Sequence, residues 1–197
     1  MTSLWYATVL SRVSNGSKIL DIGIGNASSL LVHSQTLKSK NITVCGVDYT
    51  QEYVDAAQLN IKNKNAEDNV TVVYGSVYDS LVLSSFPIKK FDAAYFSGSI
   101  SLLPDPVSAL HSAAEFVKPS GHIYITQTYQ KRGFPGLAQF KRNLKFITTV
   151  DFGELTWEKD IMKVFKESGY EIVSHNVIEG SVDNPMQSAY LTVLKVI

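Results

Sequence analysis

Cysteine is all but missing from this chain. The one thiol among 197 residues, Cys45, cannot form an internal disulfide. Its place in an apolar stretch reads as a small buried hydrophobe in a reducing compartment. Long apolar runs are missing too: none approaches the roughly 20 residues of a bilayer-spanning helix, so no membrane association is expected. Neither sign of charge dominates, since 18 basic side chains meet 18 acidic ones. Without a basic excess, no nucleic-acid partner is expected. The four histidines, His33, His111, His122 and His175, lack metal-ligand spacing, so no metal is expected. Nor is a Ser-His-Asp arrangement supported. Acids are absent before Asp21 while Arg12 is present, which faintly resembles a transit peptide. Yet Leu4, Trp5, Tyr6, Val9, Leu10 and Val13 recur at helical spacing and predict a packed first helix over 1–16. A cytoplasmic protein is the expectation, and the length fits one α/β domain over 1–197.

What is present centres on Lys18-Ile-Leu-Asp-Ile-Gly-Ile-Gly-Asn-Ala27. Ile19, Leu20 and Ile22 form a short apolar run of the kind found inside a parallel sheet. Gly23 and Gly25 let the backbone turn sharply and leave room for a ligand against it. A helical pattern over 27–39 follows. A second strand, Ile42 to Val47, ends in Asp48, where doubly wound folds grip the ribose hydroxyls of a nucleotide-like cofactor. Dinucleotide enzymes want a third glycine or alanine in this turn, to set the helix on a pyrophosphate. Here that position is Ser28. Asp21, inside the motif, would repel a pyrophosphate but suits the ammonium of a methionine-like group.

Strand and helix patterns alternate along the chain, without linker or repeat. Strands are expected at 18–23, 42–48, 70–74, 91–96 and 122–126, with helices at 27–39 and 51–63 and a short helical or loop piece at 81–86. A further helix should open at Pro104-Asp-Pro106 and close at Lys118-Pro-Ser-Gly121, and another should span 156–167. Strands at 171–178 and 188–196 are joined by a loop too short for a crossover helix, hence an antiparallel hairpin. The expected architecture is a Rossmann-like, doubly wound seven-stranded sheet, mostly parallel, closed by that hairpin.

Asp21-x-Gly23-x-Gly25, Asp48 and this order of elements together resemble the class I S-adenosylmethionine-dependent methyltransferases, over essentially the whole chain. The resemblance implies S-adenosyl-L-methionine as cofactor, with Asp21, Gly23 and Gly25 lining its methionine end. Asp48 would accept from both ribose hydroxyls and Tyr49 would lie against adenine. Family members often carry Gly-Asp after strand three, whereas here Gly75 is followed by Ser76. Either Ser76 and the backbone of Val77 replace the acid, or Asp79 reaches in; Asp79 also fits a helix N-cap ahead of Ser80. The strand-four tip, Ser97-Gly-Ser99, should pass beside the transferring methyl, with Ser97 toward the cofactor and Ser99 toward the substrate. The Asn/Asp-Pro-Pro-Tyr/Phe of base amino methylation is absent there.

Between Glu115 and Asp151 there is no acid, but Lys118, Lys131, Arg132, Lys141, Arg142 and Lys145 occur. That excess suggests an anionic acceptor held by a lid over 130–155, or else a solvated helix face. Tyr129 and Arg132 are the expected substrate contacts beside Ser99, and no catalytic base stands out. The expected acceptor is a small molecule or a peptide side chain. A catalytically inactive cofactor-binding partner subunit or sensor is the alternative, and a nicotinamide oxidoreductase a third reading.

Overall fold

The computed structural model describes residues 2–131 and 157–196. The chain opens with α1 (Thr2–Arg12), β1 (Lys18–Ile22), the short α2 (Ser28–Leu31) and α3 (Ser34–Ser39), β2 (Thr43–Asp48) and α4 (Gln51–Asn63). Then come β3 (Val70–Tyr74), α5 (Ser80–Ser84), β4 (Phe91–Ser97), a 3-10 turn (Ile100–Leu102) and α6 (Pro106–Ala114). β5 (Val117–Gln130), α7 (Glu158–Glu167), β6 (Glu171–Val177) and β7 (Gln187–Lys195) complete it. The seven strands form one sheet in the order β3-β2-β1-β4-β5-β7-β6. The first five pair in parallel, whereas β7 runs antiparallel to both β5 and β6. The expected fold is the observed one.

The sheet is buried on both faces, which is why its strands read as apolar runs rather than alternating ones. One core holds Trp5, Tyr6, Val9 and Leu10 of α1 with Leu30, Leu37 and Val54 against Ile19, Val44 and Tyr95. The other holds Leu83, Leu110 and Phe165 against Leu20, Ile22, Phe96 and Ile125. Side chains alternate along a strand, so Asp21 shares the α1 face with Ile19. An acid therefore points into the first core.

Three boundaries differ from expectation. The helix expected over 27–39 is broken into α2 and α3 at Val32-His33. Serines and threonine near the break favour local hydrogen bonds over helix, and the His33 ring is drawn off to the Ser3 carbonyl at 2.7 Å. α6 stops at Ala114, short of Pro119. Pro119 and Gly121 lie instead inside β5, where pairing with β4 jumps from Phe91↔Val117 to Ala93↔His122. Pro119 cannot donate to the ladder and Ser120 has φ +62°, so the strand bulges there and resumes.

Candidate active site

The turn after β1 opens onto a cleft of about 450 Å³ at the carboxyl ends of the parallel strands. Gly23 and Gly25 have φ +73° and +60°. A Cβ on Gly23 would sit 2.6 Å from Cβ of Ser99, so β4's tip packs directly on the turn. A Cβ on Gly25 would meet nothing within 4 Å. The bare backbone there faces open cleft, with room for a ligand to lie against it.

Asp48 lines the cleft beside this turn. It is buried, and its two oxygens accept from Gly25 N–H at 2.8 Å and Thr50 N–H at 3.0 Å. A carboxylate has about four acceptor sites, so lone pairs are left for hydroxyl donors. Tyr49, exposed by 67%, stands on the rim with Ser76 and Val77 beside it. Leu102, Leu103 and Pro104 supply an apolar wall. Tyr78 bridges two loops, donating to the Asp105 carbonyl at 2.9 Å and accepting its N–H at 3.1 Å. Asp79 is not among the lining residues; its carboxylate caps α5 by accepting Leu81 N–H. That leaves Ser76 and Val77 at the cleft.

A second, polar cavity of about 290 Å³ continues past Gly23 and Gly25, lined by Tyr6, Asn26, Ser29, Tyr53 and Ser97. Asp21 does not line it, contrary to the sequence expectation. Its side chain turns under α1, where Oδ2 accepts from the Tyr6 hydroxyl at 2.8 Å. Among the described residues Oδ1 has no partner, and neither does Ser97 Oγ. Burial, and secondarily Asp48, push the Asp21 carboxyl up to about 7 against the pull of the Tyr6 hydrogen bond. Burial and then Asp21 raise the Tyr6 hydroxyl well above its usual value. Tyr95, edge-on to Tyr6 at 5.1 Å, bonds Thr126 at 2.8 Å. Of the two unpartnered atoms only Ser97 Oγ belongs to a residue lining the cavity, where it leaves a polar group for a ligand beside the open glycine turn.

Two expected substrate residues are placed otherwise. The Ser99 hydroxyl is spent on the Ile22 carbonyl, so Ser99 fixes the turn although it touches the cleft. Tyr129 is fully buried, against His175 and Tyr190. It lies on the same face of β5 as Ile123 and Ile125, inside the second core, away from the cleft. Arg132 and nearly all of the expected lid fall outside the described residues. Lys118 is paired with Asp92 and Lys131 with Asp183. Among the described residues no group of three or more histidine, cysteine or acidic side chains is placed to hold a metal, and no helix is long and apolar enough to cross a membrane. Sequence reasoning missed Tyr6, Tyr53, Tyr78 and the 3-10 turn. Tyr6 was legible as a core residue of an amphipathic helix, but nothing local announced its hydroxyl's partner.

A family model described as "Methyltransferase domain" matches residues 13–178. The chain belongs to the class I S-adenosylmethionine-dependent methyltransferases. It is 23% identical over 181 residues to a ubiquinone biosynthesis O-methyltransferase of Azoarcus sp., covering 89% of this methyltransferase and 72% of that relative. A demethylmenaquinone methyltransferase of Staphylococcus epidermidis is 29% identical over 159 residues, covering 77% and 60%. The methyltransferase spans only 41 to 47% of six further ubiquinone biosynthesis O-methyltransferases. Its fold matches a SAM-dependent methyltransferase from Aquifex aeolicus with TM-score 0.71 at 16% identity, covering 98% of this chain and 89% of that one.

Proposed function

We propose that this methyltransferase transfers the methyl group of S-adenosylmethionine to a small-molecule acceptor, as one domain over 1–197. The observation that carries this reading is the buried Asp48, hydrogen-bonded to Gly25 of the open glycine turn and to Thr50. When bound, the cofactor supplies a methyl group already activated on a sulfonium. The protein's part is then to bind, align and exclude water. Gly23 and Gly25 hold the amino-acid end with backbone, and Asp48 accepts from the ribose hydroxyls. Tyr49, Ser76 and Val77 take the adenine, and Ser97 lies toward the sulfur. No histidine, lysine or arginine lines either cavity among the described residues. This favours an acceptor that gives up its proton without an imidazole base.

The two relatives are named for ubiquinone biosynthesis and for demethylmenaquinone, which favours a small molecule over a peptide. The pairing of Lys118 and Lys131 removes two of the cations behind the anionic expectation. Acceptor screens therefore begin with hydroxylated and carbonyl-activated small molecules, and anionic ones follow. Calorimetry with S-adenosylhomocysteine should give saturable binding in the micromolar range. No heat at high micromolar ligand overturns the cofactor assignment. Label transfer from methyl-labelled cofactor into a metabolite fraction is the expected catalytic result. Binding without transfer into any fraction would instead support the partner-subunit reading.

A further inference from the structure

Beneath the glycine turn lies an acid that does not reach the ligand-sized space. Asp21 is fully buried, in contact with a void of only about 10 Å³ that it shares with Tyr6 and Tyr95. Tyr6 lines both that void and the polar cavity above it, so its ring stands between the acid and any ligand. The Tyr6 hydroxyl has a single proton and donates it to Asp21 Oδ2 at 2.8 Å. A phenol oxygen that has given away its proton still has lone pairs, and on the cavity side they can only accept. Three of the other polar groups there are committed: the Thr2 and Ser29 hydroxyls bond each other at 2.7 Å, and Asn26 Oδ1 takes the Ser28 N–H, whereas Ser97 Oγ has no partner among the described residues. Among the described residues no carboxylate lines this cavity. The acceptors left for a cation include the Ser97 hydroxyl and the Tyr6 oxygen, and of the two only Tyr6 is backed by a buried acid.

We infer that Tyr6, carried by α1, receives the α-ammonium of the cofactor's amino-acid end, and that Asp21 acts on that ammonium through Tyr6 rather than by touching it. The inference rests on the cofactor reading above and adds a residue and a role to it. The chain of donors runs one way: ammonium N–H to Tyr6 oxygen, Tyr6 O–H to Asp21 oxygen. Asp21 is thus a positioning residue, which fixes the hydroxyl rotor so that its lone pairs face the cavity and adds negative charge behind them. α1 is braced for this by the Trp5 indole N–H to Ser181 Oγ at 3.1 Å and by His33 on the Ser3 carbonyl. The Tyr6 ring is braced edge-on by Tyr95.

A ligand series read against two variants tests this. The ligands are S-adenosylhomocysteine, its analogue lacking only the α-amino group, and 5′-methylthioadenosine, which lacks the whole amino-acid end. Wild-type protein should prefer S-adenosylhomocysteine to the deaminated analogue by tenfold or more. Tyr6→Phe keeps the ring and should reduce that preference to threefold or less, while 5′-methylthioadenosine binds within twofold of wild type. Equal weakening of all three ligands, or a preference left intact, overturns the proposal. Asp21→Asn keeps an acceptor for the Tyr6 proton but removes the charge, and should cut the preference several-fold. An unchanged preference in that variant overturns the relay even where Tyr6→Phe fails to fold. If wild-type protein binds none of the three, the cofactor reading itself falls, and the failure is visible before any variant is made.

Discussion

At the scale of single residues, the cleft rests on two acids with different tasks. Asp48 holds the backbone of Gly25 and Thr50 and still faces the ligand space. Asp48→Ala should weaken S-adenosylhomocysteine binding by roughly 1.5–3 kcal/mol, because two hydroxyls lose a charged acceptor. An unchanged calorimetric affinity would remove the ribose assignment. Asp21 is raised by burial to about 7, and the groups facing it are Tyr6 from α1, Tyr95 from β4 and Asp48 from β2. A bound ammonium favours the ionised acid, so ligand affinity should rise with pH through 7 and level off above it. Between pH 6 and 8 the gain should be roughly five- to tenfold. Calorimetry at pH 7 in two buffers of different ionisation enthalpy should report about half a proton released, and Asp21→Asn should abolish that release. The sign for stability is the reverse. The folded carboxyl holds its proton above the pH at which the unfolded one releases it, so Asp21 costs stability as pH climbs from the usual carboxylate range to about 7.

At the scale of elements, the turn between β1 and α2 separates packing from binding within three residues. Gly23→Ala places a methyl 2.6 Å from Ser99 Cβ at a left-handed backbone, so it should lower stability by about 2–4 kcal/mol. Gly25→Ala meets only open space and should cost about 1 kcal/mol of stability while losing most cofactor affinity. Thermal melts and calorimetry on the two variants separate these outcomes; similar behaviour in both would deny the cradle. The turn was legible because glycine and acid spacing is local in sequence. So were the apolar strands, whose burial on both faces leaves an unbroken pattern. The break between α2 and α3 was not, since it depends on His33 reaching a carbonyl in α1. The extended β5 was masked by Pro119 and Gly121, which read as a stop but sit in a bulge.

For the whole molecule, the sequence announced its sheet plan through the alternation of elements, and the order β3-β2-β1-β4-β5-β7-β6 follows it. The floor of the polar cavity beyond the glycine turn was out of reach. The pairing of Tyr6 with Asp21 joins the first helix to the first strand through a side-chain hydroxyl, and no periodicity encodes that contact. Tyr129 shows the opposite error: a polar tip near a strand end suggested a ligand contact, but its place in the β5 alternation puts it among Phe165, Ile125 and Ile123 in the core.

The strand that closes the sheet is late in the chain and central in space. β7 lies between β5 and β6 and pairs with both, so β6 has no place to dock until β7 arrives. From the end of β5 at Gln130 to the end of β7 at Lys195 the ribosome must add 65 residues, which takes roughly 3–13 s at typical synthesis rates. Throughout that interval β5 offers an open edge carrying Ile123, Ile125 and Tyr129, side chains that are buried in the finished sheet, and such an edge invites pairing with another chain. A stop codon after Met186 makes the interval permanent. That truncated chain should collect in the pellet on expression, and a soluble, cooperatively melting product would show that the sheet can close without its last strand.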